Sequence, residues 1–223
     1  MKRFTWSAPI ALVLAAVVAA QTPGVHPISG RRFAPVMGYQ GADWLERSER
    51  DEEEAPDVAL NVLKIAKGAS VADIGAGSGF ITERLSARVG PTGRVFANDV
   101  QPQMLQILAR RLALRKITNV TLVQGTIDDP KLDPTSVDLE IMVDVYHELE
   151  YPYEMLAAIV RALKPGGRVV FVEFRGDDPS VPIKALHTMT EDQVRKEAAV
   201  HPLVWIKTVS DLPWQHVVVF RKK

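Results

Sequence analysis

One stretch limits the fold more than any other: Val71 to Gly79 reads Val-Ala-Asp-Ile-Gly-Ala-Gly-Ser-Gly, an apolar run that passes into three closely spaced glycines. Ile81, Leu85 and Val89 follow at helical spacing, so a strand becomes a helix across a glycine turn. The alternation then repeats. Arg94 to Asp99 reads as a second strand, and Pro102, suited to a first helical position, opens a helix carrying Leu105, Leu108 and Leu112. Val120 to Val123 is a third strand and Val137 to Val143 a fourth. A helix from Pro152 to Leu163 follows, then the stop Lys164-Pro165-Gly166-Gly167 and a fifth strand from Arg168 to Phe174. Strands joined by crossover helices imply right-handed βαβ units in a parallel sheet covered on both faces. Leu203 to Val209 and Gln215 to Arg221 lack an intervening helix and suggest an antiparallel pair at the sheet edge. The expected class is α/β: a three-layer Rossmann-like sandwich with a mostly parallel seven-stranded sheet and an antiparallel edge strand.

The ends of the chain obey other rules. Lys2 and Arg3, the apolar run from Ala8 to Ala20, and the small residues Val18 and Ala20 have the layout of a signal peptide over residues 1–20. The expected location is therefore secreted or periplasmic, with no stable membrane insertion after cleavage. An uncleaved anchor is the alternative, although a span needs ~20 apolar residues and this run is shorter and contains Pro9. A start at Met37 is a further alternative. Residues 21–54 are rich in proline and glycine and read as an arm, with Met37, Tyr39 and Trp44 as candidates for a lid or for packing anchors. The acidic run Asp51 to Glu54 reads as helix-start electrostatics. A helix is expected from Val58 to Ala66, within a main domain spanning residues 55–223.

Composition removes several functions. The 223 residues hold 27 Lys and Arg against 27 Asp and Glu, so no basic excess is available to grip a nucleic acid. With no cysteine there is no disulfide, thiolate metal site or Cys nucleophile.

Ligands of open α/β sheets bind beyond the carboxyl ends of the strands. Three segments meet there: the glycine turn with Asp73, Gly75, Ala76, Gly77, Gly79 and Thr82; Asp99 with Val100, 20 residues after Gly79, placed to accept from ribose hydroxyls; and Thr126, Ile127 and Asp128 after the third strand, in reach of an adenine. Val143 closes the set from the fourth strand. The spacing G-x-G-x-G differs from the dinucleotide pattern G-x-G-x-x-G, and a carboxylate at Asp73 suits a cationic amino group better than a pyrophosphate. S-adenosylmethionine is thereby favoured over NAD.

With those residues the chain resembles the class I S-adenosylmethionine-dependent methyltransferases, of the ubiquinone and menaquinone type, over roughly Ala55 to Lys223. Val71 to Thr82 looks like the family's first motif, Asp99 its ribose-binding acid, Gln124 to Asp128 its adenine loop and Asp138 to Glu148 its fourth-strand motif. Ala162 to Val172 looks like its helix, turn and fifth strand. The resemblance implies S-adenosyl-L-methionine as cofactor and a seventh strand antiparallel beside the fifth. Thr126 departs from the acid usual there, and Glu140 stands where an apolar strand residue is usual.

Methyl transfer asks a protein to align donor and acceptor and to remove a proton where the acceptor carries one. His147 is the first candidate base, with Asp144, Tyr146 and Glu148 beside it; His147 closing the pocket is the competing role. Glu173 is expected to be a buried acid paired with Arg175 or Arg168. Glu191, Asp192, Arg195, Lys196 and Glu197 read as a solvated helix face. No resident metal is expected. The acceptor class is a small molecule, and the N/D-P-P-Y/F/W motif of amino-group methyltransferases is missing. Open alternatives are a non-catalytic adenosine-cofactor-binding protein, an NAD-dependent oxidoreductase and an aminopropyltransferase.

Overall fold

The computed structural model describes residues 24–223, so the signal-peptide expectation for residues 1–20 lies outside the described residues. Seven strands form one sheet in the order β3-β2-β1-β4-β5-β7-β6. They are β1 (Ser70–Ile74), β2 (Arg94–Asp99), β3 (Val120–Gln124), β4 (Val137–Val143), β5 (Leu163–Phe174), β6 (Leu203–Val209) and β7 (Gln215–Lys222). The first five pair in parallel, whereas β7 runs antiparallel to β5, and β6 antiparallel to β7, forms the edge. Strand order reverses between β1 and β4, which opens a crevice at their carboxyl ends.

The helices are α1 (Arg50–Glu54), α2 (Pro56–Val62), α3 (Phe80–Val89), α4 (Pro102–Arg115), α5 (Pro152–Ala162) and α6 (Glu191–Ala198). Three start with proline at the first position, where its missing N–H costs nothing. Thr190 caps α6 in a reciprocal box with Gln193. The pleat sorts the core into two layers. Ala72, Met142, Val169, Val218 and Phe220 face Leu156 and Ile159 of α5, while Val71, Leu139, Ile141, Val170 and Val219 face Leu60 of α2 and Leu85 of α3. This two-sided burial is why the central strands read as unbroken apolar runs.

Two boundaries and one solvent-exposure reading differ from expectation. The helix expected over Val58 to Ala66 ends at Val62, because Lys64 turns left-handed at φ 48°. Leu163 leaves α5 and pairs with Val137, so β5 begins before the Lys-Pro-Gly-Gly turn, with a register shift between Val137 and Leu139. Glu197 is not on a solvated face. Only 1% exposed, it accepts from Arg31 Nε (2.8 Å) and Nη2 (3.0 Å), lies 3.1 Å from His26 Nε2 and accepts from Ser29 Oγ. The arm is thereby clamped to α6. No helix among the described residues is long and apolar enough to cross a membrane.

Candidate active site

The glycine turn leaves β1 with Gly75, Gly77 and Gly79 all at positive φ. A side chain at Gly75 would come within 2.5 Å of Val145 Cγ2, and one at Gly79 would collide with Leu108 Cδ1. The first glycine lets the turn approach the loop after β4, and the last lets α3 settle on α4. Asp99, at the end of β2, accepts the Gly77 N–H at Oδ2 (2.9 Å) and the Gln101 N–H at Oδ1 (2.8 Å). Turn and acid are locked together before any ligand arrives.

Beyond the strands lies a cavity of about 540 Å³, within the usual size range for small-molecule sites. Its walls include Asp73, Gly75, Ala76, Gly77, Asp99, Val100, Ile127, Val143, Asp144 and His147, so the structure brings ten of the sequence candidates together. Four stand back from it. Thr82 lies behind Asp73 and donates to its Oδ2 (2.6 Å), and Gly79 serves helix packing. Thr126 donates to Asp128 Oδ1 (2.7 Å) in an exposed turn, so of the adenine loop only Ile127 reaches the cavity.

The structure adds residues that sequence reasoning missed. Met104 and Gln101 follow Asp99 along one wall, Pro182 to Lys184 and His187 form the opposite rim, and Val36, Leu45 and Arg50 come from the arm and α1, beside Met37 and Trp44, two of the residues the sequence offers for a lid. Tyr39 does not line the cavity; its N–H and the Met37 carbonyl clasp the Gln101 amide, both at 2.9 Å. Arg50 is buried, stacked 4.3 Å over the Phe80 ring and bonded to Glu54 Oε2 (2.6 Å). Its spacing of four residues from Glu54 was the one legible sign of that pair.

Buried carboxyls give the cavity its electrostatics. Burial lifts Asp73 to about 6 against the opposing Thr82 hydrogen bond and the Arg50 charge. Burial also raises Asp99, and it raises Asp144 strongly with help from Glu54 and Glu173. Asp144, held at φ 56°, takes both Gln215 amide bonds at 2.8 Å. Glu173 corrects the expectation of an arginine partner. Its Oε2 lies 2.6 Å from His147 Nδ1 and its Oε1 accepts the Tyr146 N–H (2.8 Å). Burial pulls His147 down, but Glu173 and Glu148 outweigh it and hold the imidazole above its ordinary value. With Nδ1 committed to Glu173, Nε2 meets His187 Nδ1 at 3.2 Å.

Residues 72–171 match the family model described as methyltransferase domain. That segment, a little under half of the chain, is thus similar to methyltransferase domains. The chain is 32% identical over 111 residues to the ubiquinone/menaquinone biosynthesis C-methyltransferase UbiE of Idiomarina loihiensis, covering 49% of this chain and 44% of that protein. To its namesake from Pseudomonas fluorescens it is 30% identical over 135 residues, 60% of this chain and 51% of the other. The chain thus spans about half the length of these curated relatives. The fold is that of a SAM-dependent methyltransferase from Aquifex aeolicus, with TM-score 0.80 and 22% identity over 84% of this chain and all of that one. The [4+2]-cyclase SpnF shares it at TM-score 0.65 and 13% identity, covering 75% of this chain and 79% of that one, so the fold alone does not fix a reaction.

The site's donors and acceptors fit S-adenosylmethionine. Asp99 keeps lone pairs free for a ribose diol, Val100, Met104 and Ile127 offer an apolar wall for adenine, and Asp73 with Arg50 presents opposite charges to an amino-acid zwitterion.

Proposed function

We propose that this chain is an S-adenosylmethionine-dependent methyltransferase acting on a small-molecule acceptor outside the cytosol, after export by residues 1–20. The observation that carries the reading is Asp99, a buried carboxylate tied to the glycine turn and facing the same cavity as Asp73 and Arg50. NAD fits less well, because a pyrophosphate on this turn would meet the Asp73 carboxylate.

The cofactor supplies an electrophilic methyl whose bonding electrons stay on sulfur when it leaves. Asp99 would hold the ribose, Asp73 the amino group and Arg50 the carboxylate of the cofactor. Alignment of this kind lowers the barrier by removing the entropy of bringing two reactants together. Without a metal on Nε2, His147 would take the acceptor's proton there, and Glu173 on Nδ1 fixes the tautomer and would stabilise the imidazolium. Asp144 shapes the acceptor end from its bonds to Gln215. The arm walls the cavity through Met37 and Trp44.

Calorimetric titration with S-adenosylmethionine, S-adenosylhomocysteine and NAD tests this. Binding of the first two, abolished by Asp99→Ala, is expected; binding of NAD alone would overturn it.

A further inference from the structure

We propose that His147, His187 and Glu148 form a divalent transition-metal site on the wall of the cavity. His147 and Glu148 lie in the short turn Tyr146–Glu148 after β4, and His187 ends the turn Ala185–His187 after β5. His147 Nε2 and His187 Nδ1 are 3.2 Å apart, and Glu148 Oε1 is 4.0 Å from each. A tetrahedral ion with bonds of ~2.0–2.1 Å separates two ligand atoms by ~3.3 Å. The two imidazoles already stand at that spacing, and the carboxylate closes the remaining ~0.7 Å by side-chain rotation.

The supporting layer is also in place. Glu173, fully buried, lies 2.6 Å from His147 Nδ1, which turns the Nε2 lone pair toward His187 and the cavity. A carboxylate behind a ligating imidazole is the usual second layer of a metal site, fixing ring orientation and raising ligand basicity. Glu148 and Glu173 stand here against Lys184 on the rim and Arg31 behind His147, and the Arg31 charge is already paired with Glu197. Two nitrogen donors with one carboxylate select Zn²⁺, Fe²⁺ or Co²⁺ over Mg²⁺ and Ca²⁺, which prefer all-oxygen shells. His147 is the most enclosed of the three and His187 is partly open, so the remaining coordination positions face the cavity. An oxygen donor can fill them there.

This inference goes beyond the cofactor reading. A metal on Nε2 makes His147 a ligand and removes it as the base, transferring activation of the acceptor to the ion. Metal binding is therefore measured without cofactor, on the full chain stripped by chelator, with Zn²⁺ by calorimetry and Co²⁺ by visible absorption. One equivalent is expected, with affinity at least 100-fold lower in His187→Ala and in Glu148→Gln, and 10–100-fold lower in Glu173→Gln. Absence of a stoichiometric site, or a site indifferent to His187→Ala and Glu148→Gln, overturns the proposal. S-adenosylhomocysteine titration of the same variants reports folding and separates the two readings: cofactor binding without metal leaves the methyltransferase reading standing and ends this one.

Discussion

Replacing Glu140 by leucine should stabilise the protein. Glu140 sits in the middle of β4, beside Ala72 of β1 and Val169 of β5, on the sheet face covered by α5. It is 0% exposed, and neither carboxyl oxygen has a hydrogen-bond partner. Burial raises its pKa well above 4.5, opposed only by the more distant charges of Lys222 and Arg161. Each unsatisfied buried polar group costs ~1–3 kcal/mol, and a leucine adds apolar burial at similar volume, so a gain of about 2–3 kcal/mol is expected. At ~2–4 °C per kcal/mol for a domain of this size, Tm rises by roughly 4–12 °C. The pH dependence gives a second handle. A carboxyl whose folded pKa is raised binds its proton more tightly in the folded state, so its contribution is complete below the unfolded pKa near 4.5 and lost as pH rises through the folded one. Wild type should therefore lose stability with rising pH relative to Glu140→Leu, and the gap should widen. A leucine variant of lower Tm at neutral pH, or a gap that does not grow, would refute an unpartnered carboxyl here.

Glu197→Gln should cost about 3–5 kcal/mol in chemical denaturation, because Arg31 then stays buried with its charge unpaired, and residues 24–37 should become sensitive to protease. Gly79→Ala combines a left-handed φ of 95° with the Leu108 clash and should lose on the order of 2–4 kcal/mol, read in the same assay. If Asp73 must be ionised to hold the cofactor's amino group, its pKa of about 6 makes S-adenosylhomocysteine affinity rise ~10-fold from pH 5 to pH 7. Asp73→Asn should flatten most of that rise, leaving the part due to Asp99, and an unchanged slope would remove Asp73 from the contact.

Strand and helix alternation was legible because every central strand is buried on both faces and every crossover helix on one, which writes period and apolarity directly into the chain. Asp99 was legible for the same reason, since the βαβ unit fixes its distance from the turn. The Glu173–His147 pair was not. It depends on the parallel register of β4 and β5, and the two residues are 26 positions apart with arginines nearer in sequence to compete for Glu173. Glu197 was misread because charges four apart on α6 mimic a solvated face, while its true partners lie 166 and more residues away in an arm without periodicity. The bond from Thr126 to Asp128 Oδ1 closes an exposed turn, a local arrangement that no periodicity in the sequence announces.

The arm is what joins these illegible parts. Arg31 takes Glu197 with one side of its guanidinium and donates to the carbonyls of His147 (3.0 Å) and Tyr146 (3.3 Å) with the other. The Met37 N–H donates to Glu148 Oε1 (3.3 Å) and its carbonyl accepts from Gln101 (2.9 Å). A segment with no regular pattern thus sets the backbone of the Tyr146–Glu148 turn and bridges it to Gln101, next to Asp99. A chain begun at Met37 would keep every strand and helix of the sheet yet lose His26, Ser29 and Arg31, leaving Glu197 buried without them. The sheet carries Asp73 and Asp99, but the position of the imidazole and of Glu148 depends on residues that lie before it.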